Sequence, residues 1–342
     1  MPQTHSVPRD VPREADFDLA PNLLDGAMSL TMTTRDCDLA YWLTAVAQGT
    51  LTGRASTGHA PAAGTPGFMR EPGPLREALI LELGWRSVAE ERATRALSYF
   101  VAQAPGIPEM EFFATQVLDE ARHSMVFRNH LVELGVPAEQ LYETIAELSA
   151  DYIAEVLAPI EEFVVRTVRD EGDFVGAVAA FTIVVEGVLA PAAELSERKW
   201  DRLDPAAGEI ARGAGIDEIR HLTVGSSIVR EHLIRNPGYR PRVMEIVTAG
   251  RKLWDEVPVL KYVLRRENLF SEGMREHASL LSGYEVFPGR RLLETTATER
   301  YDIAERWTDE MAAARLRYME LEEATAILSK GSTTAVRLNR LF

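Results

Sequence analysis

The sequence predicts an all-α protein, a single domain over residues 1–342 built on a four-helix bundle with a crossover helix and further N- and C-terminal helices. Three observations predict it. Strand signals are scarce, while apolar residues recur at helical spacing over most of the chain. Breaks rich in Gly and Pro fall at "APGIP", "GVP" and "RLDPAAG", beside long periodic stretches. The pentad Asp-Glu-x-Arg-His occurs twice, in "VLDEARH" (117–123) and "GIDEIRH" (215–221), each time on the second helix of a helical hairpin. Two helical hairpins joined by a long crossover make a four-helix bundle.

Each element follows in order. After a polar start, 36–48 reads as a short helix, and "GRASTGHAPAAGTPGFMREPGP" makes a long loop. A long helix is expected over about 75–104, and "APGIP" turns the chain. The next helix, about 109–134, carries the first pentad and stops at a Gly followed by Pro. A helix over about 138–170 carries the chain back across the bundle, and an apolar helix from Phe174 to Trp200 follows it. The second pentad lies on a helix over about 207–234. Helices over about 240–268 and 298–329 flank an irregular Gly/Pro segment. The bundle core is thus assigned to 75–235, with 1–74 as an extension and 236–342 as added helices.

Composition narrows the function classes. Lys and Arg total 37 against 52 Asp and Glu, a formal net charge of −15, and no basic patch is visible for binding nucleic acid. One cysteine, Cys37, excludes an internal disulfide framework and Cys-rich metal sites. The first twenty residues hold no apolar signal core, so a cytoplasmic location is expected. The stretch 174–193 has the length of a membrane span and a single charge, Glu186. With no second span and no flanking basic cluster, it reads as a helix buried on all sides, and no membrane partner is expected.

Glu and His at positions i and i+3 share one helix face and can bind one ion together. Chance supplies the full pentad about once per thousand histidines, so two copies on two helices are a strong signal. Glu120 with His123 and Glu218 with His221 are therefore candidate metal ligands. Two facing helices of this kind would hold two ions if two more carboxylates arrive from partner helices. Glu186 is the candidate from the second half, because a lone carboxylate in an apolar helix costs several kcal/mol unless an ion neutralises it. In the first half Glu90 and Glu91 compete, and helical phase favours Glu90, on the side of Leu83, Ala93 and Leu97. Glu82 lies two turns too far along and reads as a channel or network residue.

Asp119 and Asp217 stand one turn before a His, or reach across to the other pentad's His, where each would accept the free ring N–H and fix the tautomer. Arg122 and Arg220 would neutralise those acids. His130 is a further candidate ligand, although a hydrogen-bonded core or rim histidine is the favoured reading. His5 and His59 fall in loops, His277 on a charged segment, and His232 near a helix end. Thr94, Phe113, Gln116, Phe127, Thr182 and Val185 are candidate lining residues by helical phase. Hard carboxylates with two imidazoles suit iron or manganese rather than copper or a thiolate-loving ion.

Four Glu and two His on antiparallel helices resemble the ferritin-like di-iron carboxylate superfamily. "QVLDEARH" looks like the metal helix of the bacterial multicomponent monooxygenase hydroxylases, and the step of 30 residues from Glu90 to Glu120 suits that comparison. The resemblance spans about 75–234 and implies a ferritin-like bundle with two iron ions held by Glu90, Glu120, His123, Glu186, Glu218 and His221. The chain's size is nearer the di-iron N-oxygenases of natural-product pathways, which oxidise an amine, hydroxylamine or hydrazine nitrogen. Those related to aminobenzoate N-oxygenase carry an additional His one turn before the last Glu, where this chain has Ala214.

The resemblance implies an oxidoreductase that uses O2 on a small molecule, most plausibly at nitrogen. A carbon hydroxylase or desaturase comes second and a ribonucleotide-reductase-like radical subunit third, with Phe127 at the place where that subunit typically has a tyrosine. Iron storage is fourth. No flavin, nicotinamide or iron–sulfur motif is visible, so an external reductase or ferredoxin, or the substrate itself, would supply electrons. A homodimer is a further expectation of the resemblance.

Overall fold

A computed structural model describes residues 11–328, of which the great majority are helical: 78% of residues are helix and 2% strand, in eleven helices. Leu23–Ser29 (α1) and residues 39–49 (α2) form the N-terminal part. Asp38 caps α2 by accepting the Tyr41 N–H, which places the helix start three residues after the expected one. The long loop follows, and Pro74–Gln103 (α3) and Ile107–Glu133 (α4) make the first hairpin. Both open with Pro in the first turn, where its missing N–H leaves nothing unpaired. α4 stops at Gly135, whose φ of +87° lets its own N–H reach Val132 and the Val136 N–H reach Leu131.

Residues 141–170 (α5) cross back over the hairpin, preceded by a 3-10 turn at Ala138–Gln140. Phe174–Trp200 (α6) and Pro205–Arg235 (α7) make the second hairpin, with Asp173 and Asp204 as N-caps. By length and composition α6 passes for a membrane span, yet 78% of its most apolar window is buried inside the protein. Within α6, Ala180–Glu186 is wound as a π-helical turn ending at the lone carboxylate.

Two C-terminal expectations are corrected. The helix expected over 240–268 is two helices, Arg240–Glu256 (α8) and Val259–Glu276 (α9). Val257 precedes Pro258 and is driven to extended backbone (φ −78°, ψ 142°), which ends α8. The helix expected over 298–329 is Ala297–Tyr318 (α10) followed by the single turn Thr325–Leu328 (α11). Between α9 and α10, strands Glu285–Phe287 (β1) and Arg290–Arg291 (β2) pair antiparallel in the segment expected to be irregular. The expected end at Ser329, and His5, lie outside the described residues.

α3 packs along α4 and α6 along α7, α4 touches α7 across the middle, α9 backs α3, and α10 backs α6. Of three apolar clusters among the described residues, the two larger bound the candidate ligands. One holds Leu83, Val88, Val126 and Ala214, and the other holds Leu97, Phe113, Phe181 and Val224. On α3, α4 and α7 the candidate ligands fall between residues of the first cluster and residues of the second. A polar layer between two apolar ones is therefore written along the helices themselves. α8 comes so close to the π-helical turn that a Cβ on Gly250 would overlap Val184.

Candidate metal centre

All six predicted ligands meet in that layer. α3 supplies Glu90, α4 supplies Glu120 and His123, α6 supplies Glu186, and α7 supplies Glu218 and His221. Their ligand-capable atoms form two groups, each within 4.8 Å: Glu90, Glu120, His123 and Glu218, and Glu120, Glu186, Glu218 and His221. The groups share Glu120 and Glu218. His123 Nδ1 lies 3.3 Å from Glu120 Oε2, and His221 Nδ1 lies 3.3 Å from both Glu120 Oε1 and Glu186 Oε1. Glu91 instead pairs with Arg95 on an exposed face, as helical phase favours.

The two pentads interlock. Asp217 Oδ2 lies 3.1 Å from His123 Nε2, and Asp119 Oδ2 lies 3.2 Å from His221 Nε2, so each aspartate serves the other pentad's histidine. Each aspartate thus accepts an Nε2 proton and leaves the Nδ1 side of the ring facing the carboxylates. Arg220 joins Asp119 (2.6 Å), Asp217 (2.9 Å) and Glu14 (2.6 Å), and Arg122 pairs with Asp217 (2.5 Å). The Trp42 indole N–H donates to Asp119 at 2.9 Å. Glu14 and Trp42 come from the N-terminal extension, far from the pentads in sequence, and no local spacing pointed to them.

Four carboxylates and two imidazoles in a dry layer cannot all hold their ordinary charge alone. Burial, and then the Glu120 carboxylate, push Glu90 well above the usual carboxylate range; Glu218 moves the same way through burial and its Glu120 and Glu186 neighbours. Glu186 rises to about 7, chiefly by burial. Against burial, the His123 and His221 rings beside it hold Glu120 low. Against burial, bonds to Asp217 and Glu120 raise His123 to about 9.

Several atoms aimed inward have no hydrogen-bond partner: Glu120 Oε1, Glu186 Oε2, Glu218 Oε2 and His221 Nδ1. Buried polar atoms are normally satisfied, and hard oxygens beside imidazole nitrogen are what a divalent first-row cation takes. The cluster fits a metal, and its residues could hold one.

A cavity of about 80 Å³ reaches Glu90, Glu120, Glu186 and Glu218 between α3 and α6. Its walls are mostly apolar: Ala93, Leu157, Phe181, Val185, Leu189 and Trp254 among others. Ala214 also lines it, at the place of the additional histidine named above. Of the predicted lining residues, Val185 lines the cavity, and Gln116 donates to Glu186 Oε1. Thr94, Phe113, Phe127 and Thr182 are not on its wall. Thr94 turns to the Glu90 carbonyl, Phe113 packs on Phe100, and Phe127 lies under the Arg86 guanidinium. Helical phase found the correct faces but not which residues a neighbouring helix covers.

A second cavity of about 130 Å³ adjoins the first and shares Arg86, Ala89, Glu90, Leu189 and Trp254 with it. Glu82 lines this chamber, and its carboxylate meets Lys199 (3.1 Å) and Arg266 (3.4 Å). Lys199 and Arg300 also bind Glu267 at 2.5 Å. The network reading of Glu82 is the one the geometry supports. His130 does not reach the carboxylate layer, His277 stacks on Phe68, and His232 packs edge-on against Tyr239. No protein-family model matches the chain.

Proposed function

We propose that the protein is a non-haem di-iron oxygenase of ferritin-like fold that uses O2 to oxidise a small metabolite, most directly at an amine, hydroxylamine or hydrazine nitrogen. The observation that carries the proposal is the pair of overlapping ligand groups sharing Glu120 and Glu218. Two shared carboxylates, with one further Glu and one His on each side, are the donor set of a two-metal site. Two divalent cations would balance the four carboxylates, whose burial and mutual repulsion otherwise raise Glu90, Glu186 and Glu218.

An iron pair held by Glu90, Glu120, His123, Glu186, Glu218 and His221 would supply the redox chemistry by which O2 is reduced. The protein's own residues do the rest. Asp119 and Asp217 hold a proton on each His Nε2 and keep both rings turned inward. Gln116 fixes one oxygen of Glu186. The apolar wall of Leu157, Phe181, Val185 and Leu189 excludes water beside the carboxylates and admits an uncharged part of the substrate. At the outer end, Arg92 of α3 pairs with Glu161 of α5 on the cavity rim.

The test is single-turnover oxidation under ¹⁸O2 by ferrous-loaded protein, offered amines, hydroxylamines and hydrazines, with mass spectrometry of the products. Labelled oxygen on nitrogen supports the proposal. Label on carbon, or loss of two hydrogens, moves the assignment to a carbon hydroxylase or desaturase. Iron binding with no reaction of O2 overturns the oxygenase.

A further inference from the structure

We propose that His59, His130 and Glu133 form a second metal site, for a single zinc-type cation, separate from the carboxylate centre. His130 lies on α4 seven residues beyond His123, about 10 Å further along the helix axis. Glu133 is in the last turn of α4, and His59 comes from the long loop before α3. One ligand-capable atom from each of the three lies within 4.8 Å of the others. His59 Nε2 is 3.1 Å from Glu133 Oε1, and His130 Nδ1 is 3.2 Å from Glu133 Oε2. A tetrahedral zinc shell with bonds of about 2.0–2.1 Å spaces its donors by about 3.3 Å. The two rings meet at 78° with centroids 6.2 Å apart, so their nitrogens converge on the carboxylate from different sides.

Proton counting separates a metal site from a hydrogen-bond network. The outer nitrogens already have acceptors: His59 Nδ1 lies 2.9 Å from the Ala60 carbonyl, and His130 Nε2 lies 3.2 Å from Asp204 Oδ2. A neutral imidazole has one N–H to give. If the inner nitrogens were also donors, two adjacent imidazolium rings would share Glu133. A cation in place of the two inner protons leaves both rings neutral, each donating its one proton outward, as metal-bound histidines do. His130 Nδ1 supports this count. It belongs to a residue with 0% exposure and makes no hydrogen bond of acceptable geometry, although Glu133 is near.

Two imidazoles and one carboxylate without a thiolate suit Zn²⁺, with a fourth position for water where Glu133 is partly exposed. The site would act as a clip. Thr65, on the same loop as His59, also donates to Glu133, and Asp204 caps α7, so one cation ties the loop, the end of α4 and the start of α7 together.

The experiment is zinc titration of the metal-stripped full-length chain, wild type against His59→Ala, with an anomalous-difference map of zinc-soaked wild-type crystals. His59→Ala is expected to take up one Zn²⁺ fewer per chain than wild type, with ferrous uptake at the carboxylate centre unchanged. The wild-type map is expected to show a peak between His59, His130 and Glu133. Equal zinc stoichiometry in a folded variant, or a zinc-soaked wild-type map without that peak, overturns the proposal. The map decides the matter if the variant does not fold.

Discussion

The crossed contacts between the pentads decide what single side chains contribute. Asp119→Asn and Asp217→Asn keep the shape but weaken acceptance of the His221 and His123 Nε2 protons. Losing such a support typically costs about 10–100-fold in metal affinity. Ferrous titration should find that loss in each variant, and affinities equal to wild type would contradict the role given to the aspartates. Glu218 predicts an opposite pair of effects. It is raised by burial and by Glu120 and Glu186, so Glu218→Gln removes repulsion from the metal-free protein while removing a ligand shared by both groups. Chemical denaturation of metal-free protein at pH 8 should find the variant more stable by about 0.5–2 kcal/mol, with iron uptake lost. At this scale the sequence was most legible where chemistry repeats. Two pentads pointed to four candidate ligands, and a lone Glu in an apolar helix pointed to a fifth. Glu14 and Trp42 were illegible, because their positions depend on where the N-terminal extension lands on α4 and α7.

Helices were legible to within a few residues wherever Pro, Gly or a capping Asp marked an end. Misreadings came where the break is subtler: at 257–258, where one Pro splits an apparent helix, and along α6, whose periodicity gives no sign of its π-helical turn. That turn ends at Glu186, and such turns gather at functional sites. Trp254 of α8 donates to the Val184 carbonyl within it at 2.5 Å, and Gly250 lets α8 approach that closely. Gly250→Val should therefore cost about 1–3 kcal/mol by overpacking against Val184, read by denaturant melts, and an unchanged midpoint would contradict that contact. Lys199 holds α6 to α3 and α9 through Glu82 and Glu267, all three fully buried. Lys199→Ala removes one charge-assisted partner from each of two buried carboxylates that keep Arg266 and Arg300, and a loss of about 1.5–3 kcal/mol is expected in the same measurement.

For the whole molecule, the carboxylate layer makes stability depend on pH and on metal together. In the metal-free protein Glu186 is raised from 4.5 to about 7 and His123 from 6.5 to about 9. A raised pKa contributes stability that is full below the unfolded value and disappears as pH rises through the folded one. Metal-free protein should thus lose stability between about pH 5 and 9, while metal binding removes the cause by replacing those protons. Thermal melts across that range should slope downward without metal and flatten with it, and parallel curves would contradict the coupling.

We propose that the two overlapping ligand groups form one two-metal site. Anaerobic titration of the full-length chain with Fe²⁺ tests it most directly, comparing wild type with Glu120→Ala and Glu218→Ala. Two iron ions per wild-type chain are expected, with loss of both in each variant, because both groups share the residue removed. A wild-type chain that takes up no iron, or variants that bind as wild type does, would contradict it.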